Sequence, residues 1–157
     1  MKYRMLTEEE RLIFDEDFKH FLIANGVSSE EWLELNKSNK AGATTLVELF
    51  SDTVLQKVYE KVKFLEHRTK ESCMVFKLNE AQIELVSLNL KPGSNEDLST
   101  PDSIHEVLSN KPSQLTMFRT QKTYSKEREI EIHELIDQGC VNSSEAFWLS
   151  LLKTVEA

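Results

Sequence analysis

The chain's nearest approach to a metal site is His133-Glu134-Leu135-Ile136-Asp137. Glu129, His133 and Asp137 recur at four-residue steps, so they share one face of a helix. Carboxylate and imidazole ligands together suit a transition metal. The pattern departs from HExxH, since Asp137 stands where a metalloprotease carries its second histidine. This reading makes the chain a small metal-dependent hydrolase around His133. The plainer reading is a solvated acidic helix face beside an apolar stripe. Asp17 and His20 form a DxxH pair without the second pair a two-metal bundle needs. No cofactor is called for.

A second constellation is electrostatic. Residues 110–128 hold five basic side chains, Lys111, Arg119, Lys122, Lys126 and Arg128, against the single acid Glu127. The flanking segments, 79–110 and 129–157, each carry six acids and one base. Phe118 and Tyr124 are interleaved with the cations, a combination that can track phosphates and stack bases. Arg119, Lys122, Tyr124, Lys126 and Arg128 are therefore candidate binding residues for RNA or another polyanion. Against this stands the net charge of −8, which disfavours polyanions. The cations can equally neutralise the acidic helices around them.

Two thiols complete the inventory. Cys73 opens an apolar stretch and reads as a buried, inert group. Cys140 follows Gly139 and precedes a helix start, where a thiol pKa can be lowered. GxGxxG, GxxxxGK[ST] and GxSxG are all missing, which argues against the nucleotide and hydrolase classes that use them. Two scattered cysteines point to a reducing compartment. The first residues lack the apolar run of a secretory signal, and no stretch approaches the roughly 20 apolar residues that span a bilayer. The cytoplasm is the expected location, with no membrane partner.

The elements that must position these residues follow from periodicity. Residues 45–66 show Val47, Phe50, Val54, Val58, Val62 and Leu65 at helical steps, widened by Leu46, Leu49, Leu55 and Tyr59. This reads as a central helix, entered through a polar loop at 37–43. Upstream, Thr7 and Glu10 form a capping box, and one helix runs to Gly26. Ser28 and Glu31 repeat the box before a short helix carrying Trp32.

Residues 73–78 and 82–90 read as strands joined by 79–81. In the second, the apolar phase slips between Leu85 and Val86, which implies a bulge or burial on both faces. Thr100 and Pro101 open a short helix. Residues 110–124 are left between weak strand and loop. Ser125 starts a helix ending at Gly139, and a last helix begins near Asn142. That helix shows Phe147, Trp148, Leu151, Leu152 and Val155 on one side, a stripe that closes a core or docks on a partner, so Trp148 joins the binding candidates. Residues 24–35 and 137–151 echo each other as helix, glycine stop, serine cap and tryptophan-leucine, which is helix-turn-helix chemistry used twice.

The strings MKYRMLTEEE (1–10), FDEDFKHFL (14–22) and VELFSDTVLQKVYEK (47–61) resemble a family of short, uncharacterised cytosolic bacterial proteins. The resemblance implies a bacterial cytosolic protein and brings no activity, cofactor or site with it.

The resulting expectation is an α+β fold. Residues 1–157 form a single domain, with helices packed around a central helix and a small antiparallel β-sheet over one core. The leading function is a non-enzymatic protein–protein interaction module. RNA binding through 111–128 and the His133 hydrolase are the alternatives.

Overall fold

The computed structural model describes residues 1–156, with the side chains of Val155 and Glu156 outside that description. Seven helices and a five-stranded antiparallel sheet make it an α+β fold. The chain divides into two compact units, residues 1–60 and residue 61 to the C-terminal end.

The first unit is helical. Thr7 caps α1 (Glu8–Ile13) in a complete box with Glu10. The expected single helix breaks at Phe14, whose φ of −98° and ψ of 19° leave the helical range, and α2 (Asp15–Ala24) follows. Gly26, at φ +73°, ends it. Gly26 N–H donates to Ile23 O at 3.0 Å and Val27 N–H to Leu22 O at 2.8 Å, the paired bonds of a Schellman motif. Ser28 caps α3 (Ser29–Ser38).

The longest helix, α4 (Lys40–Glu60), occupies most of the expected loop at 37–43. The missed signal is Asn39, whose Oδ1 accepts from Gly42 N–H at 3.0 Å. Val47, Phe50, Val54, Leu55 and Tyr59 are buried as expected, whereas Leu49 and Val58 are exposed. Residues 2–6 run along α4. Lys2 and Tyr3 N–H donate to Asp52 at 2.7 and 2.9 Å, and Leu6 N–H donates to the buried Ser51 hydroxyl at 3.1 Å. Phe18 meets Trp32 and Phe50 at ring separations of 5.1 and 5.0 Å.

The second unit starts by correcting the end of the expected helix. Residues 61–66 are not helical, because β1 (Phe64–Arg68) pairs residue for residue with β2 (Ser72–Leu78). Phe64, Glu66 and Arg68 alternate with Leu65 and His67, a two-residue period that the apolar positions alone do not display. The pair β2 and β3 (Gln82–Leu90) matches the expected strands closely. Pairing along β3 is unbroken on both sides, so the phase slip is burial on two faces rather than a bulge: Val86, Ser87 and Leu88 are consecutive and buried.

Thr100 and Pro101 open α5 (Pro101–Asn110), and β4 (Leu115–Thr123) turns the ambiguous 110–124 stretch into a full strand. α6 (Arg128–Asp137) starts three residues after the expected Ser125 cap, because Lys126 N–H is already turned onto the Glu131 carboxylate at 3.3 Å. Asn142 lies in β5 (Val141–Asn142), opposite Leu65, so the last helix, α7 (Glu145–Glu156), is capped by Ser144 instead, which accepts from Phe147 N–H at 3.1 Å. The two halves of the echo share a glycine Schellman end, since Cys140 N–H donates to Leu135 O at 3.0 Å, but a strand intervenes only in the second.

Sheet order is β4-β3-β2-β1-β5. One apolar cluster lies on a single sheet face, where Cys73, Val75, Val86 and Leu88 gather with Ile104 and Val107 of α5 and Trp148 and Leu151 of α7. Each large apolar side chain buried there contributes about 1.5–3 kcal/mol. Among the described residues, no helix is long and apolar enough to cross a membrane.

Candidate functional site

The basic segment folds into β4 and the turn after it. In an antiparallel ladder, residues alternate between pointing their backbone polar groups at one neighbour and at the other. Lys91 N–H donates to Gln114 O at 2.8 Å and Leu90 N–H to Glu71 O at 2.9 Å. Odd-numbered residues of β3 therefore bond to β4. By register, Asn89, Ser87, Leu85 and Ile83 face Thr116, Phe118, Thr120 and Lys122. Met117, Arg119, Gln121 and Thr123 direct their N–H and C=O groups to the outer edge, where the sheet order places no further strand. Every side chain from Phe118 to Thr123 is exposed, and Phe118 is 51% accessible.

The cations of this segment are held by named partners. Arg119 reaches diagonally to Glu84 at 2.7 Å. The Arg119 guanidinium, with help from the Asn79 amide, holds the Glu84 carboxyl below the usual carboxylate range. Lys122 lies 3.5 Å from the buried Glu131, and Lys126 pairs with Glu134, which raises the lysine's pKa. Arg128 does not project outward. Its Nε donates to Asn79 O at 3.2 Å and its Nη2 to Leu78 O at 3.0 Å and also to Val62 O. The Tyr124 hydroxyl donates to the same Asn79 oxygen at 2.6 Å, and burial pushes its phenol pKa up. Arg128 and Tyr124 thus clamp the β2–β3 turn.

Trp148 is 1% exposed and sits in the core, with its ring 6.2 Å from that of Phe64. Val155, from the same expected stripe, has its side chain outside the described residues. Glu129, His133 and Asp137 do lie on one helix, but no group of three His, Cys, Asp or Glu side chains is placed to hold a metal among the described residues. Four-residue steps set the three ligands about one turn apart along the axis, and a metal would need a further element to close the gap. Glu129 instead lies beside the Arg128 guanidinium, at 3.9 Å, and Asp137 is exposed.

Residues 1–156 match a family of unknown function, DUF6495. The chain belongs to this family. No curated protein and no solved structure matches it.

In this family member the open edge is a candidate site that charge counting does not reveal. The cations were visible, but Met117, Gln121 and Thr123 matter through their backbone. The available signal was the loss of alternation in FRTQKT, where both faces turn polar, as happens in a strand covered on neither side. Glu84, Glu131 and Asn79, which hold the cations and the tyrosine, lie too far along the chain to be paired with them by spacing.

Proposed function

We propose that this protein is a non-enzymatic interaction module whose partner is a protein that adds an extended, acidic segment to the outer edge of β4. The observation that carries this reading is the nine-residue edge strand, whose backbone groups at Met117, Arg119, Gln121 and Thr123 face outward. An added strand would gain its affinity from those main-chain groups. Specificity follows from charge. β4 contains Arg119 and Lys122 and no acid; each is paired with a carboxylate of a neighbouring element, yet both side chains remain exposed, at 40% and 65%. A second copy paired through the same edge would bring like charges together, which opposes self-association, whereas an acidic strand is attracted. The proposed setting is the cytoplasm, in keeping with two free thiols.

The test uses a synthetic extended peptide of alternating Glu and Val, followed by amide hydrogen exchange. The peptide should slow exchange at Met117, Arg119, Gln121 and Thr123. Gln121→Pro removes an outward N–H and no bond of the β3–β4 ladder, so it should fold and bind the peptide at least about tenfold more weakly. Unchanged exchange at those amides, or full binding by Gln121→Pro, would sink the proposal. Tight, strongly salt-dependent binding of single-stranded RNA without edge protection would replace it with the polyanion reading.

A further inference from the structure

A second site lies on the core face of the same sheet. Glu66 and Arg68 are two residues apart on β1 and stand opposite the core residues Val75 and Cys73 of β2. Both charges therefore point toward the helix layer. Glu66 is 6% exposed and pairs with Arg68, whose guanidinium lies over the Phe147 ring at 5.1 Å. Together they line a cleft of about 530 Å³ with Ile104, Leu108, Ser143 and Phe147.

One polar atom here, Ser143 Oγ, is buried without a hydrogen-bond partner among the described residues. The Arg68 Nε lies against the Glu66 carboxylate, so the ion pair is closed on that side. Burying an ion pair costs desolvation that attraction repays only when further hydrogen bonds satisfy both groups. An unpaired hydroxyl beside a buried ion pair at the wall of a cleft is an arrangement a polar ligand completes.

The chemistry of the lining sets the ligand class. Glu66 and Arg68 cancel, with His105 the other titratable side chain of the lining, so a simple anion meets Glu66 and a simple cation meets Arg68 as a like charge. A ligand carrying both signs meets neither penalty. Ile104, Leu108 and Phe147 supply an apolar wall beside the charges. We propose that this cleft binds a small zwitterion of the α-amino-acid class with an apolar side chain. Arg68 and Ser143 receive its carboxylate, Glu66 its ammonium group, and the helix side chains its apolar body. The site is separate from the β4 edge and does not depend on the function proposed for it.

The experiment is a titration of the isotope-labelled full chain with L-leucine, followed by NMR at the Arg68 Nε–H and the amides of Ser143 and Phe147. Saturable shifts at these three positions are expected. L-leucinamide, which lacks the carboxylate, and 4-methylpentanoate, which lacks the ammonium group, should each bind about tenfold more weakly or worse, the cost of leaving one buried charge without its partner. Ser143→Ala should weaken L-leucine while leaving the spectrum of the fold intact. Three results overturn the assignment: no saturable shift with L-leucine, shifts confined to other residues, or either analogue binding as well as L-leucine.

Discussion

The Glu10 carboxylate accepts from both terminal nitrogens of Arg4, at 2.7 and 3.0 Å, while its Oε1 also accepts from the Thr7 N–H at 2.9 Å. The Arg4 guanidinium is the main reason its pKa falls from 4.5 to about 2; the Thr7 N–H adds to the effect and partial burial works against it. Folding lowers this pKa, so the unfolded chain takes up the proton first as pH falls. The stabilisation is complete above about pH 4.5 and is lost as pH drops through about 2. The Glu10 side chain is 30% exposed, and solvent screening keeps the effect small. Glu10→Gln should cost about 1–2 kcal/mol at neutral pH and nothing once the native carboxyl is itself protonated. Urea melts of both proteins across that range check this, and parallel pH profiles would refute it.

Arg128 and Tyr124 give a test of the turn clamp. Arg128→Ala withdraws a charged donor from the carbonyls of Val62, Leu78 and Asn79. A loss of about 3 kcal/mol is expected, and Tyr124→Phe should cost about 1 kcal/mol. Both side chains donate to the Asn79 oxygen, so only the double variant leaves it without a side-chain donor and should lose more than the sum. Strict additivity in chemical denaturation would show that the two act independently.

The parts of the fold that were legible in the sequence are those written locally. Thr7, Ser28 and Thr100 cap helices within three residues of themselves, and Gly26 and Gly139 end them by taking a conformation other residues resist. The strands β2 and β3 were legible because a short turn joins two apolar runs. β1 was not, because its partner is set by register rather than by its own composition, and Val62 and Leu65 happen to continue the helical count from α4. The strand nature of 115–123 was hidden for the opposite reason: an edge strand exposed on both faces has almost no pattern to read. At the site, residue types were legible and partners were not. Nothing in the spacing tells that Arg128 serves backbone carbonyls while Arg119 serves Glu84. The pairing of Glu66 with Arg68 is not legible because only the strand conformation of β1 puts residues two apart on one face.

The cysteines should be slow to react. Burial pushes the Cys73 thiol up to about 11, with only partial relief from Arg68. Cys140 is not at the helix N-terminus that its place after Gly139 suggests, since α7 begins only at Glu145 and the Cys140 N–H closes the C-terminal end of α6. Burial raises the Cys140 pKa, and the negative C-terminal end of a helix offers a thiolate no stabilisation. At pH 8 a disulfide reagent should label both thiols far more slowly in the native protein than in denaturant. Rapid native labelling of Cys140 would restore the activated-thiol reading.

The two Schellman glycines should differ in how much they tolerate a side chain. Gly26 has φ of +73° and nothing within 4 Å of the position a Cβ would take. Gly26→Ala should cost only the left-handed conformation itself, about 1–2 kcal/mol. Gly139 has φ of +108°, further from the small left-handed basin, and its Cβ would meet the His67 ring at 3.4 and 3.5 Å. That is ordinary van der Waals contact, so the new methyl would rest against the imidazole, and His67 lies in β1 between Glu66 and Arg68. Gly139→Ala should therefore cost more than Gly26→Ala and should also broaden or move the His67 resonances, which Gly26→Ala leaves unchanged. Equal losses in thermal unfolding with His67 undisturbed would mean that only the backbone conformation, and not the approach of the strand, requires glycine at 139.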